Sequence, residues 1–221
     1  MRQTTKDILI FVFAFFVIFT IGFVFYTLYD VQRSYNKPFN ETSELVVEVK
    51  PQTTPNLKLA EFLEHPIDLH DFKNSKDINY TTTGVTNGKS YYFQPNIKDS
   101  IFYLYNYPTE NFTDVKRIDQ IIVFKHGKKK HTYDDDTEIL IELRIFNSDD
   151  NLKQANLVGR SKAELESEFG KAYLMVDNHM VYAHKNKVLI LTLKDAEVSS
   201  YNYIKLNTET INHGLIQHII K

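Results

Sequence analysis

The stretch best equipped for chemistry is Lys125–Asp136, KHGKKKHTYDDD. His126, His131, Asp134, Asp135 and Asp136 offer the nitrogen and oxygen atoms that bind divalent cations. All five come from one short loop, without a helical i, i+4 pair, so the spacing describes a solvated hairpin tip with opposite charges side by side and not a metal centre. The three Asp residues also cancel the basic run as a phosphate-binding patch. In HPIDLHD, His65, Asp68, His70 and Asp71 offer a His/Asp pair for general-base work. No Ser on a strained elbow and no Gly-rich oxyanion turn accompany them, and they read as turn residues after a short helix. His179 and His184 flank one strand at an odd separation and face opposite sides. His213 and His218 read as surface residues of a terminal helix. The sequence therefore assigns no catalytic residue, no metal ligand and no cofactor.

A different chemistry is offered by Tyr91, Tyr92, Phe93, Phe102, Tyr103 and Tyr105, a dense aromatic group on neighbouring strands. Successive strand residues face opposite sides of a sheet, so some of these rings are expected at the surface unless a layer covers each face. Exposed aromatics suit a protein interface, and these six residues are the expected interaction surface. Asn40-Glu41-Thr42, Asn79-Tyr80-Thr81 and Asn111-Phe112-Thr113 match the glycosylation acceptor pattern, at about the frequency expected of a chain rich in Asn and Thr.

The elements that position these groups follow from periodicity. Leu59, Phe62 and Leu63 share one face of a helix over Leu57–Glu64, closed by His65-Pro66. Asn87-Gly88 supplies the turn of a hairpin over Ile78–Gln94. Strands follow at Ser100–Asn106 and Val115–Lys125. Over Thr137–Phe146, Ile139, Ile141, Leu143 and Ile145 alternate against Glu138, Glu142 and Arg144, which predicts one dry and one wet face. Ser161 and Glu164 form a capping box for a helix over Lys162–Phe169, which Gly170 stops. An antiparallel meander follows near Ala172–Val176, Met180–His184 and Lys187–Lys194, with a further strand over Tyr201–Leu206. Thr208 is expected to cap a last helix carrying Ile211, Leu215, Ile216, Ile219 and Ile220.

Ahead of this domain, Ile8–Tyr29 holds 22 uncharged residues, seven of them Phe. As a helix it extends about 33 Å, matching the ~30 Å apolar core of a bilayer. The run exceeds a signal-peptide core and lacks a small-x-small cleavage pattern. It reads as an uncleaved single-pass signal anchor, with Tyr26 and Tyr29 at the headgroup level. Arg2, Lys6 and the N-terminal amine precede it; Arg33 and Lys37 follow. The short tail places the N-terminus in the cytoplasm and the rest on the extracytoplasmic side. The expected organisation is a tail over 1–7, a transmembrane helix over 8–29, a Pro-containing stalk over 30–56 and one soluble domain over 57–221. The stalk carries Pro38, Pro51 and Pro55, and Leu45, Val47 and Val49 alternate with polar residues within it.

Composition narrows the class. The chain has no Cys, which rules out disulfides, thiolate zinc sites and a lipid-modified Cys, so the helix must serve as the anchor. A formal net charge of −2 argues against nucleic acid as a partner. Abundant Tyr, Phe, Ile, Val and Thr favour strands. The expected fold is α+β: an antiparallel sheet with two or three short helices, preceded by the single transmembrane helix.

Gly159-Arg160-Ser161-Lys162-Ala163-Glu164-Leu165, then Phe169-Gly170, then Tyr182 before an apolar hairpin, resembles the helix-then-meander unit of the SmpA/OmlA-like assembly proteins of bacterial envelopes. The resemblance spans about residues 157–206. Lys171-Ala172 stands where that family often has a residue and then Pro, and the family's lipid-modified Cys is missing. The resemblance implies a small scaffold that binds other proteins. The expected function is thus a membrane-anchored, non-enzymatic envelope protein whose outer domain binds other proteins. The alternative is an extracytoplasmic small-ligand or glycan-binding domain.

Overall fold

The computed structural model describes residues 56–76, 78–108, 117–135 and 137–221. The expected tail, membrane helix and all of the stalk but Asn56, and the acceptor patterns at Asn40 and Asn111, lie outside the described residues. Among those residues no helix is long and apolar enough to cross a membrane.

Eight strands form one antiparallel sheet: β1 Thr82–Thr86, β2 Ser100–Tyr107, β3 Asp119–His126, β4 Ile139–Ile145, β5 Leu174–Val176, β6 His179–His184, β7 Lys187–Lys194 and β8 Glu197–Lys205. Their spatial order is β1-β2-β3-β4-β8-β7-β6-β5. The sheet is thus two consecutive four-stranded meanders joined along β4 and β8, where Glu142 lies opposite Ile204 and Ile145 opposite Tyr201. An α+β fold on an antiparallel sheet is the architecture expected, although the described residues hold four α-helices, one more than the upper expectation.

Three of these helices and a 3-10 turn cover one face of the sheet. Helix α1, Leu57–Glu64, is capped by the Asn56 side chain, which accepts from Leu59 N at 3.1 Å, and buries Leu59, Phe62 and Leu63. Helix α2, Leu69–Ser75, stands where only turn residues were expected. The Asp68 carboxylate accepts from Asp71 N at 3.0 Å, and Phe72 and Lys73 are buried. The 3-10 turn spans Asp150–Ala155 and buries Leu152 and Ala155. Helix α3, Lys162–Phe169, keeps its predicted bounds and its complete capping box, and Gly170 ends it at φ 85°. Leu165 and Phe169 join the same core as Tyr103, Tyr105 and Tyr107.

The second face is covered by helix α4, His213–Ile220, and by the segment around Tyr91 and Tyr92, over a core of Phe102, Ile122, Phe124, Ile141, Val188 and Ile204. Asn212, and not Thr208, caps α4, accepting from Leu215 N at 2.9 Å. The Thr208 hydroxyl instead accepts from Thr210 N in a local turn.

Two strand expectations are corrected. The Asn87-Gly88 hairpin does not form. Instead β1 pairs with β2, Thr82 opposite Asn106 and Thr86 opposite Phe102. The aromatic segment turns away to the end of β8, where Phe93 N donates to Lys205 O at 2.9 Å and Asn207 N to Tyr91 O at 3.0 Å. Gly88 is needed for close approach: a Cβ there would lie 2.2 Å from Cε2 of Phe102. In β4 the expected strict alternation breaks at a bulge, since Ile122 faces Glu142 while Val123 faces Leu140. The extra residue, Ile141, puts Ile139 and Ile141 in one core and Leu143 and Ile145 in the other. It also turns Glu142 into the second core, wholly buried, where a wet face was expected.

Candidate interaction site

The six aromatics expected at the surface are mostly interior. Tyr91, Tyr92, Phe102, Tyr103 and Tyr105 are buried, and Phe93 is half-buried with Lys205 Nζ 4.4 Å from its ring centroid. Both faces of the sheet have a covering layer, so alternate rings find cores on opposite sides. Tyr103 and Tyr105 lie under the helices, whereas Phe102 packs against Tyr92 and Phe124, each at 5.6 Å between centroids. The aromatic group is therefore core and not an exposed interface in this domain.

The charged loop is likewise more interior than expected. Lys125, Lys73 and the carboxyls of Asp135 and Glu138 form a buried network. Lys73 Nζ lies 2.7 Å and Lys125 Nζ 3.1 Å from Oε1 of Glu138, and Lys125 Nζ lies 3.7 Å from Oδ2 of Asp135. The Tyr105 hydroxyl donates to Glu138 and accepts from Lys125 Nζ at 3.0 Å. Burial, then the Glu138 carboxylate, drives the Tyr105 hydroxyl far above its ordinary range. Two cations face two anions, and none of the four side chains is more than 7% exposed. The network ties α2 and the loop before β4 to β3 beneath Tyr105. Its parts, brought together from α2, β3 and the loop before β4, are not recognisable from local spacing.

On the other face, Glu142 is held by Arg144, with Nε 2.7 Å from Oε1, by the Tyr92 hydroxyl, and by Lys89 Nζ at 3.8 Å. Burial, then the Glu142 charge, raises the Tyr91 hydroxyl to about 12. Burial lowers the Lys89 ammonium below its usual range, against the pull of Glu142. A polar row continues outward from this group: Arg144 Nη1 donates to Gln120 Oε1, and Gln120 Nε2 to Asn106 Oδ1 at 2.8 Å.

The histidines do not converge. His65 and His70 are exposed, and His70 Nε2 lies 3.0 Å from Asn74 Nδ2. Among the described residues no group of three or more His, Asp or Glu side chains is disposed to hold a metal ion.

What the fold does present is an edge. Strand β1 pairs only with β2 among the described strands. From Ile78 to Gly88 the sequence INYTTTGVTNG has neither charge nor Pro, the usual devices that protect a sheet edge. Ile78, Tyr80 and Val85 are 58%, 70% and 60% exposed. Beside β1 runs an open groove of about 560 Å³, bounded by Val85, Thr86, Lys89, Tyr92 and Phe102. The opposite edge, β5, is only three residues long and lies against α4. Sequence reading missed the edge by spending Thr82 and Val85 on the Asn-Gly hairpin; the uncharged run itself was visible.

Comparison with protein-family models, curated proteins and solved structures finds no match for this chain.

Proposed function

We propose that this chain is a single-pass, membrane-anchored protein of a cell envelope, N-terminus in the cytoplasm, whose outer domain binds other proteins through the β1 edge and acts as a scaffold or accessory subunit. The observation that carries the reading is a strand edge left unpaired by the described strands and flanked by exposed Ile78, Tyr80 and Val85. Adding a strand to a sheet edge is a general mode of protein recognition: backbone hydrogen bonds supply affinity and flanking pockets supply selectivity. The groove beside β1 offers such a pocket. The apolar run over Ile8–Tyr29 supports the anchor, and the resemblance of residues 157–206 to envelope assembly scaffolds supports the class of activity.

The test is recovery of partners by the tagged full-length protein in mild detergent, beside a Val85→Lys variant that places a charge on the edge. A stoichiometric partner present with the parent chain and lost with the variant is the expected result. Equal recovery with both chains sinks the edge as the working surface. The groove also supports a second reading, an extracytoplasmic small-ligand or glycan-binding domain, because Lys89 and Ser90 line it beside Tyr92. A ligand that stabilises the parent chain against heat, and does so less for Lys89→Met, would favour that reading.

A further inference from the structure

We infer that the occupant of the β1 edge is β1 of a second copy of this chain, paired antiparallel about Gly84. The inference rests on the reading of β1 as the working surface. The strand Thr82-Thr83-Gly84-Val85-Thr86 is complementary to itself. Antiparallel pairing about its centre sets Thr82 opposite the partner's Thr86 and Thr83 opposite the partner's Val85. The pairs flanking the central Gly84–Gly84 contact are then all β-branched, the type that favours cross-strand contact. Thr83 and Val85 lie on the helix-covered face, opposite Tyr105 and Tyr103 in β2, so the partner's Thr83 and Val85 extend the same face.

Gly84 lies at the centre of this register. Glycine inside a strand costs roughly 0.5–1 kcal/mol relative to Ala and commonly marks a place where another backbone comes close. Nothing within the described chain requires it: its φ is not in the left-handed region, and an added Cβ would meet no atom within 4 Å. At the two-fold axis Gly84 faces its own copy, so no side chains are opposed at the centre of the pair.

Charge also favours this arrangement. The exposed cations Lys98, Lys128 and Lys129 lie toward the Thr86 end of the sheet and outnumber the exposed Asp99 there. Antiparallel pairing keeps this end of one copy away from its counterpart on the other. A five-residue edge is far smaller than the ~1,200–2,000 Å² interfaces that hold in dilute solution. Association therefore depends on confinement, which a shared membrane provides by raising effective concentration.

The absence of Cys makes the test direct. Single cysteines are placed at positions 82 to 86 in turn in the full-length chain, with Lys129→Cys as control, and membranes are oxidised and run without reductant. The expected result is a disulfide-linked dimer whose yield peaks at Gly84→Cys, together with a mixed dimer of Thr83→Cys and Val85→Cys chains exceeding either alone. Adding Thr83→Lys and Val85→Lys to the Gly84→Cys chain lowers the yield about ten-fold, because like charges then oppose across the pair. Yields no higher than the control, equal along β1, or indifferent to the lysines overturn the inference. Loss of a different protein on Val85→Lys without any self-linkage overturns it while the protein-binding reading stands. Self-linkage with unchanged recovery of other proteins upholds it while that reading fails.

Discussion

Lys125 is a wholly buried cation that faces two carboxylates and a tyrosine hydroxyl. Removing one partner from such a cluster leaves an uncompensated buried charge. Lys125→Met is therefore expected to cost about 3–5 kcal/mol and to lower the melting temperature by on the order of 10 °C. Lys130→Met, which removes a partner of the 76%-exposed Asp99, should change stability by less than about 0.5 kcal/mol; thermal melts of the two variants in the same detergent check the contrast. Glu64 gives a pH-dependent case. Hydrogen bonds from Lys187 and then Lys185 pull its carboxyl down from 4.5 to about 2. A depressed carboxylate stabilises the fold above its unfolded value, so the contribution is complete above about pH 4.5 and fades as pH falls toward 2. Its side chain is 33% exposed, and solvent screening limits the effect to about 1 kcal/mol. Glu64→Gln should thus destabilise by about that amount at pH 7 and scarcely at all near pH 2, as read by urea unfolding at both values. Charges of this kind were not legible in the sequence. Lys73, Lys125 and Glu138 belong to three separate segments, and their proximity follows only from the way α2 and the β3–β4 loop meet over Tyr105.

Elements whose signals are local were legible almost to the residue. Leu57–Glu64 and Lys162–Phe169 have their observed bounds because each carries its own cap, apolar face and stop within the helix. Elements decided by distant partners were not. The Asn-Gly turn lost to pairing of the Tyr91–Phe93 segment with the end of β8, and the alternation of β4 was reset by its pairing with β3. The β7–β8 connection shows the same competition in its backbone. Asp195 and Ala196 both take positive φ, 53° and 65°, as a two-residue primed turn demands. Alanine resists that conformation, so Ala196→Gly should stabilise the protein by about 0.5–1 kcal/mol, measured as a rise in the urea midpoint without change in slope. At the helix level, Ser161→Ala removes the acceptor for Glu164 N and the partner of its carboxylate. Its expected cost is about 1 kcal/mol, and hydrogen exchange should rise first in α3.

For the molecule as a whole, the membrane reading predicts that the full chain resists alkaline extraction from membranes while a chain lacking residues 1–29 does not. Release of the full chain by carbonate would overturn the anchor. The overall class, α+β on an antiparallel sheet, was legible because aromatic and β-branched residues recur between short turns throughout the second half; the order of the strands was not, because no local signal tells β4 to meet β8. That seam bears on the order of events during synthesis. Each meander is assembled from neighbours in sequence, but Glu142 waits for Ile204. Until the last strand leaves the ribosome, β4 stands at the rim of a half-built sheet with Leu143 and Ile145 lacking their final cover. A ribosome-bound chain stalled after Lys194 should be cut by protease near β4, and one stalled far enough past Lys221 for β8 to emerge should not. The newborn protein thus passes through an interval in which what becomes its central strand is its stickiest margin.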